Sequence, residues 1–261
     1  MCRLAAYVGP PAPLSTLLYD PPRSLQVLSY QPRELLYGSV NVDGTGIAWW
    51  DEIDQPPLRY VTASPPWSDP NLASLAPRLT GRVQLAAVRG ATPDIPFGPA
   101  NVAPFAHDGV AFVHNGWVGE FRRGTGRALA AALPDDLYAA MDAVSDSMVV
   151  FHTLLAHRRN GLDLAGSAVA TIAAVADVVF AHGTRSTLNL AVSDGVTVVA
   201  TRASVNDRLN SLYLARESDR WPGAVVIASE PLDDDQAWQA VPEQHLVRVD
   251  VASGQTEIHP L

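Results

Sequence analysis

The sequence predicts an α+β fold in which sheets stack and helices cover them. Strand-length apolar runs lie toward both ends of the chain, the two longest helical patterns lie between them, and no internal repeat or low-complexity linker divides the 261 residues. The whole chain, residues 1–261, is therefore expected to form one domain around a large core.

Taken in order, Leu4 to Val8 is an apolar run closed by Gly9-Pro10, as expected of a buried strand that begins near Cys2. A short helical turn is expected over Leu14 to Tyr19. Prolines at 21, 22 and 32 are expected to keep the next stretch irregular, Ser24 to Tyr30 included. Asn41-Val42-Asp43-Gly44-Thr45-Gly46 marks a tight turn into the strand Ile47 to Trp50. Leu58 to Ala63 is a further strand, and Asp69 is placed to cap a helix ending near Leu79, set off by Gly81. Val83 to Val88 then delivers Arg89-Gly90-Ala91-Thr92 to its end, and Val110 to Val113 delivers His114-Asn115-Gly116. Alanine-rich helices follow over Arg127 to Leu133 and Leu137 to Met141, separated by Pro134.

Ser145 is an N-cap for a helix that Gly161 stops. The next helix, Leu162 to Phe180, carries alanine and valine on nearly every face and is expected to lie buried between layers, in a hairpin with its predecessor. The remainder is short strands: Leu188 to Val192, Val196 to Thr201, Leu212 to Ala215, Val225 to Ala228, His245 to Val251 and Gln255 to Ile258. Asp194-Gly195 is a hairpin signal between the first two.

Charged residues are 17% and hydrophobic ones 48%, which suits a packed globule. Eighteen Lys and Arg against 27 Asp and Glu leave a net charge of −9, which repels nucleic acid and anionic membranes. A single cysteine excludes an internal disulfide framework or a multi-cysteine zinc site. Seven scattered histidines show no ligand spacing, so no metal and no cofactor are expected. The N-terminus lacks the pattern of a signal peptide, and Ala165 to Ala181 is interrupted by Ser167, Thr171 and Asp177 and too short for a membrane span; a cytoplasmic location is expected. The oligomeric state stays open, a homo-oligomer included.

The lone cysteine stands directly after Met1. Removal of that methionine would give Cys2 both a thiol and a free α-amine, and an amine titrating near ~8 can act as the base for its own nucleophile. An unassisted thiol is only a few per cent ionised at neutral pH, so such a base speeds attack. The plainer reading is a small buried hydrophobe. Other polar tips accompany it: Arg89 after a strand, Asn115-Gly116 after another, Asp146 at a helix start and Ser229-Glu230 after a late strand. Singly, each has an ordinary reading: a strand-end arginine, a hairpin turn, and a carboxylate favoured by the helix dipole.

Together, Met-Cys-Arg, Gln31-Pro32-Arg33, Asn41-Val42-Asp43-Gly44, Arg89-Gly90-Ala91-Thr92, His114-Asn115-Gly116, Ser145-Asp146-Ser147 and Ser229-Glu230-Pro231 resemble the class II glutamine amidotransferases among the N-terminal-nucleophile hydrolases. The resemblance is nearest to the branch containing the γ-glutamyl hydrolase of ergothioneine biosynthesis. It implies a four-layer α-β-β-α sandwich and a small-molecule γ-glutamyl substrate. It also implies Cys2 as nucleophile, the Asn115 amide and Gly116 N–H as oxyanion hole, Arg89 for the substrate α-carboxylate and Asp146 for its α-ammonium. His114 reads as structural, and Ser229, Glu230 and Thr92 take no assigned atoms. Met148 stands where the resemblance leads one to expect glutamate, and a chain of amidohydrolase size leads one to expect no fused synthase domain. The implied reaction is hydrolysis of γ-glutamyl hercynylcysteine S-oxide. A glutaminase subunit, a γ-glutamyl peptide hydrolase and a non-catalytic binding module are the alternatives.

Overall fold

The computed structural model describes residues 2–52, 55–91 and 95–261. Thr92 of the Arg-Gly-Ala-Thr motif lies outside them. Among the described residues, two seven-stranded antiparallel sheets form the centre. The first contains β1 (Arg3–Pro13), β2 (Thr45–Trp50), β3 (Leu58–Thr62), β4 (Thr80–Val88), β10 (Tyr213–Arg216), β11 (Val225–Ala228) and β12 (Trp238–Ala240), in the order β12-β10-β11-β1-β4-β2-β3. The second contains β5 (Phe105–His107), β6 (Val110–Val118), β7 (Ser186–Ser193), β8 (Thr197–Arg202), β13 (His245–Asp250) and β14 (Thr256–Pro260), in the order β14-β13-β8-β7-β6-β5, with β9 (Ser204–Val205) also paired to β7.

Strand alternation sends successive side chains of β1 to opposite faces. Leu4, Ala6 and Val8 join Trp50, Leu85, Phe112 and Leu190 in the core between the sheets. Ala5 and Tyr7 face the other way, into a second core with Leu17, Leu25 and Leu28. Those leucines belong to α1 (Ser15–Leu18) and α2 (Leu25–Tyr30), which cover the first sheet with α3 (Pro70–Leu75). The second sheet is covered by α4 (Thr125–Ala130), α5 (Asp135–Ala139), α6 (Asp146–Arg159) and α7 (Leu164–Ala181). The layers are α-β-β-α, as the resemblance implied.

Several local expectations change. Gly9-Pro10 does not end β1, which continues to Pro13 because pairing with β4 resumes at Ala12↔Gly81 after a register shift; a bulge tolerates prolines that a regular ladder would not. Gly81 accordingly sits inside β4. The stretch before Pro32 is helical as α2, and α3 stops at Leu75, its start capped as expected by Asp69, which accepts from the N–H groups of Asn71 and Leu72. The long apolar helix α7 is not buried between layers. It buries Ser167, Ala168, Thr171, Val175 and Val179 while Val169 and Phe180 remain exposed, and about a third of its residues are buried. Its length and mean hydropathy of 2.0 match those of a membrane-crossing helix, but here one face packs on α6 and the second sheet. Asp194-Gly195 does form the β7–β8 turn, with Gly195 at φ 86°.

Candidate active site

Cys2 precedes β1, a central strand with β4 on one side and β11 on the other. Its side chain is half-buried. In the β1–β4 register Arg3 opposes Val88, so the next residues outward are Cys2 and Arg89. Arg89 is held by its backbone, whose N–H donates to Gly44 O at 2.8 Å and whose carbonyl accepts from Asp43 N at 2.9 Å. Asp43 Oδ2 in turn accepts from Ala91 N at 2.7 Å. The Asn-Val-Asp-Gly turn is thus a bracket for the end of β4. The Arg89 side chain is nearly buried; Nη2 donates to Pro96 O at 3.1 Å, the Phe97 ring lies 6.0 Å from the guanidinium carbon, and Nη1 is buried with no hydrogen-bond partner among the described residues. A buried cationic N–H without an acceptor is costly unless an anion completes it.

Asn115 and Gly116 do not follow a strand and do not form a hairpin turn. They lie within β6, which runs on to Val118 because β7 pairs with it through Val118↔Ser186. Gly116 opposes Leu188, whose own N–H donates to Ala203 O and whose carbonyl accepts from Thr201 Oγ1, on the far side of β7. The pair is therefore a non-hydrogen-bonded one, and the Gly116 N–H points away from β7. A side chain is excluded here, since a Cβ on Gly116 would stand 1.9 Å from Thr187 O and 2.3 Å from His114 Nε2.

The Asn115 amide crosses from the second sheet to the first. It meets Ser229 Oγ at 3.2 Å, and the same oxygen accepts from Leu4 N at 2.9 Å, two residues beyond Cys2. Asn115, Asn189, Asn210 and Ser229 are all fully buried. Asn210 Nδ2 donates to Asn115 O at 3.1 Å, Asn189 Nδ2 to Ser211 O at 3.1 Å, and Ser211 Oγ to Ser229 O at 2.7 Å. Such a network between two apolar layers specifies how the sheets meet. Sequence reasoning missed Asn189, which lies in β7, and Asn210 and Ser211, which lie in the loop before β10, because a single asparagine or serine carries no local signal of a distant partner.

Asp146 is the first residue of α6, whose N-cap Ser145 accepts from Met148 N at 3.3 Å. Its carboxylate is buried. Oδ2 accepts from Val118 N at 3.1 Å and Oδ1 from Ser147 N at 2.8 Å, so it also ties the end of β6 to the helix. His114 lies beneath: Nε2 faces Thr187 O at 2.9 Å and Nδ1 faces Ser147 Oγ at 3.0 Å. A carbonyl only accepts, so Nε2 carries the proton and Nδ1 takes the Ser147 hydroxyl. Burial holds the His114 pKa below its ordinary value, against the pull of Asp146 and Thr187 O. The imidazole is a neutral structural link.

Glu230 acquires atoms too. Its carboxylate pairs with the buried Arg3 guanidinium at 3.2 Å and accepts from Arg33 N at 2.8 Å and Glu34 N at 3.1 Å. It fastens the Gln-Pro-Arg segment beside the start of β1. Burial lowers the Arg3 pKa, with Glu230 opposing. After Gly116, Trp117 lies edge-on to Tyr37 at 6.4 Å, and the Arg185 guanidinium carbon lies 5.5 Å from its ring centroid. A cavity of about 730 Å³ lined by Tyr37, Arg185, Asp207 and Arg208 adjoins this group. A cavity of about 790 Å³ under α4 and α5 contains none of the five predicted site residues. No cluster of three or more metal-ligating side chains occurs among the described residues.

Cys2 and Arg89 are thus brought to adjacent strand ends, Asn115 is joined to β1 through Ser229, and Asp146 is anchored two residues beyond Gly116. An arginine with an open N–H, a thiol at a strand end and buried amide donors together suit an acyl transfer from a substrate bearing a carboxylate.

No protein-family model matches the chain. It is 36% identical over 261 residues to a γ-glutamyl-hercynylcysteine sulfoxide hydrolase of Mycolicibacterium smegmatis, covering 100% of both chains. It is 35% identical over 249 residues to a protein of the same name from Mycobacterium tuberculosis, covering 95% of this chain and 93% of that one. Among solved structures, a glutamine aminotransferase class-II domain protein of Silicibacter pomeroyi superposes with a TM-score of 0.74 at 26% identity, over 100% of this chain and 98% of that one.

Proposed function

The chain belongs to the class II glutamine amidotransferase family, in the group of the mycobacterial γ-glutamyl-hercynylcysteine sulfoxide hydrolases, and on that premise we propose that it hydrolyses the γ-glutamyl amide of hercynylcysteine sulfoxide in the cytoplasm, releasing glutamate. The observation that carries the site assignment is the Ser229 hydroxyl, which joins Asn115 on one sheet to the strand that begins beside Cys2 on the other.

After removal of Met1, the α-amine of Cys2 takes the thiol proton and the sulfur attacks the γ-carbonyl carbon. The oxyanion is held by the Asn115 amide and the Gly116 N–H, donors positioned before reaction. Collapse breaks the C–N bond, and the α-ammonium returns its proton to the leaving amine. Water then attacks the thioester, giving glutamate and the free thiol. The glutamyl head is zwitterionic. Arg89 Nη1 takes its carboxylate, and Asp146 takes its ammonium with lone pairs beyond those used by Val118 and Ser147.

The reading is tested by labelling with a γ-glutamyl diazoketone and mapping the modified peptide, beside kcat/KM for the sulfoxide amide and for glutamine. Label on Cys2 and a preference for the sulfoxide amide are expected. Label elsewhere removes the mechanism, and equal turnover of glutamine removes the assigned leaving group in favour of a glutaminase.

A further inference from the structure

We propose that Ser229 is a positioning residue that sets which end of the Asn115 amide faces the reacting centre. This rests on the functional reading above and concerns a hydroxyl for which that reading provides only a link between sheets. Ser229 is pinned on three sides: its N–H donates to Leu4 O at 2.9 Å, its carbonyl accepts from Ser211 Oγ at 2.7 Å, and its Oγ accepts from Leu4 N at 2.9 Å. Leu4 N–H can only donate, so one lone pair of Oγ is committed and the hydroxyl hydrogen is directed elsewhere. One end of the Asn115 amide lies 3.2 Å from Oγ, and the other end is buried with no partner among the described residues.

The two ends of an amide are isosteric, and the hydrogen-bond network decides between them. With the NH2 toward Ser229, the amide oxygen is buried without a donor and the hydroxyl hydrogen has no acceptor among the described residues. With the oxygen toward Ser229, the hydroxyl donates to it, and only the NH2 is left open. The second arrangement satisfies one more buried group. What it leaves open is a donor in a buried setting, the group that a developing oxyanion requires. Because Leu4 stands two residues from Cys2, the same hydroxyl also registers this donor against the strand of the nucleophile.

Without the hydroxyl, the amide is free to turn its oxygen toward the oxyanion. Ser229→Ala is therefore expected to lower kcat at least 10-fold, toward the roughly 10²–10³ typical of losing one oxyanion donor, with KM within about twofold. A double-mutant cycle reads the route: Asn115→Ala/Ser229→Ala should be no more than about twofold slower than Asn115→Ala alone. Ser229→Cys fills the site with a weak donor, and serves if the alanine variant does not fold; it should lose kcat at least 10-fold with an unfolding midpoint near the parent's. Multiplying losses in the cycle, a rise in KM at constant kcat, or parental kcat in Ser229→Cys would overturn the proposal while leaving the hydrolase reading intact. A parent protein that hydrolyses no γ-glutamyl amide would overturn both.

Discussion

Arg89 and Asp146 are the two side chains on which the substrate class depends, and their settings differ. Arg89 presents a buried N–H without a partner among the described residues, whereas both oxygens of Asp146 already accept backbone hydrogens. Arg89→Ala should cost on the order of 2–5 kcal/mol, or roughly 30-fold or more in kcat/KM, on the intact substrate, and much less on one whose α-carboxylate is amidated. Asp146→Asn, which keeps an acceptor for Val118 N–H, should show the matching relief on a substrate with an acylated amine. Equal losses on all three substrates would mean that both residues serve only the fold. A second residue-scale expectation concerns pH. Burial lowers the pKa of both His114 and His152, with the remaining influences secondary. The unfolded imidazoles protonate near ~6.5 while the folded ones resist, so stability is complete above that pH and falls below it, by up to about 1.4 kcal/mol per pH unit for each group. Denaturant titrations between pH 7 and pH 5 should show this slope, and His152→Gln should remove one group's share. A flat profile would refute it.

At the scale of elements, β6 carries more than a sequence reading grants it. His114-Asn115-Gly116 resembles a turn because asparagine followed by glycine is the commonest hairpin signal. The glycine is needed for a different reason: the Thr187 carbonyl and His114 ring occupy the space of its side chain. Gly116→Ala should therefore destabilise the protein by about 1–3 kcal/mol and lower kcat, measured by urea unfolding and steady-state kinetics. Normal stability in that variant would show that β6 and β7 can part without cost. The helices divide along the same line. Asp69 and Ser145 were legible as caps because capping is local, but the burial of α7 was not, since composition alone does not say which faces of an apolar helix have partners.

For the whole molecule, the buried Arg3–Glu230 pair joins the start of β1, the end of β11 and the segment at Arg33 and Glu34. Removing one charge from such a pair leaves the other buried without compensation. Glu230→Gln should cost about 3–5 kcal/mol of stability by denaturant titration, and a loss under about 1 kcal/mol would show that Arg3 finds another partner.

The sequence by itself determined the alternation of strand and helix, the capped helix starts, the order of the motifs and the position of Cys2 beside the first strand. All of these follow from neighbours a few residues apart. Only the tertiary structure decided that Asn115 lies inside a strand, that Ser229 bridges 114 positions of chain to reach it, that Glu230 serves Arg3 and Arg33, and that α7 keeps an exposed face. Those contacts join residues far apart in the chain, and a buried hydrogen bond or ion pair takes its meaning from the partner that folding brings to it.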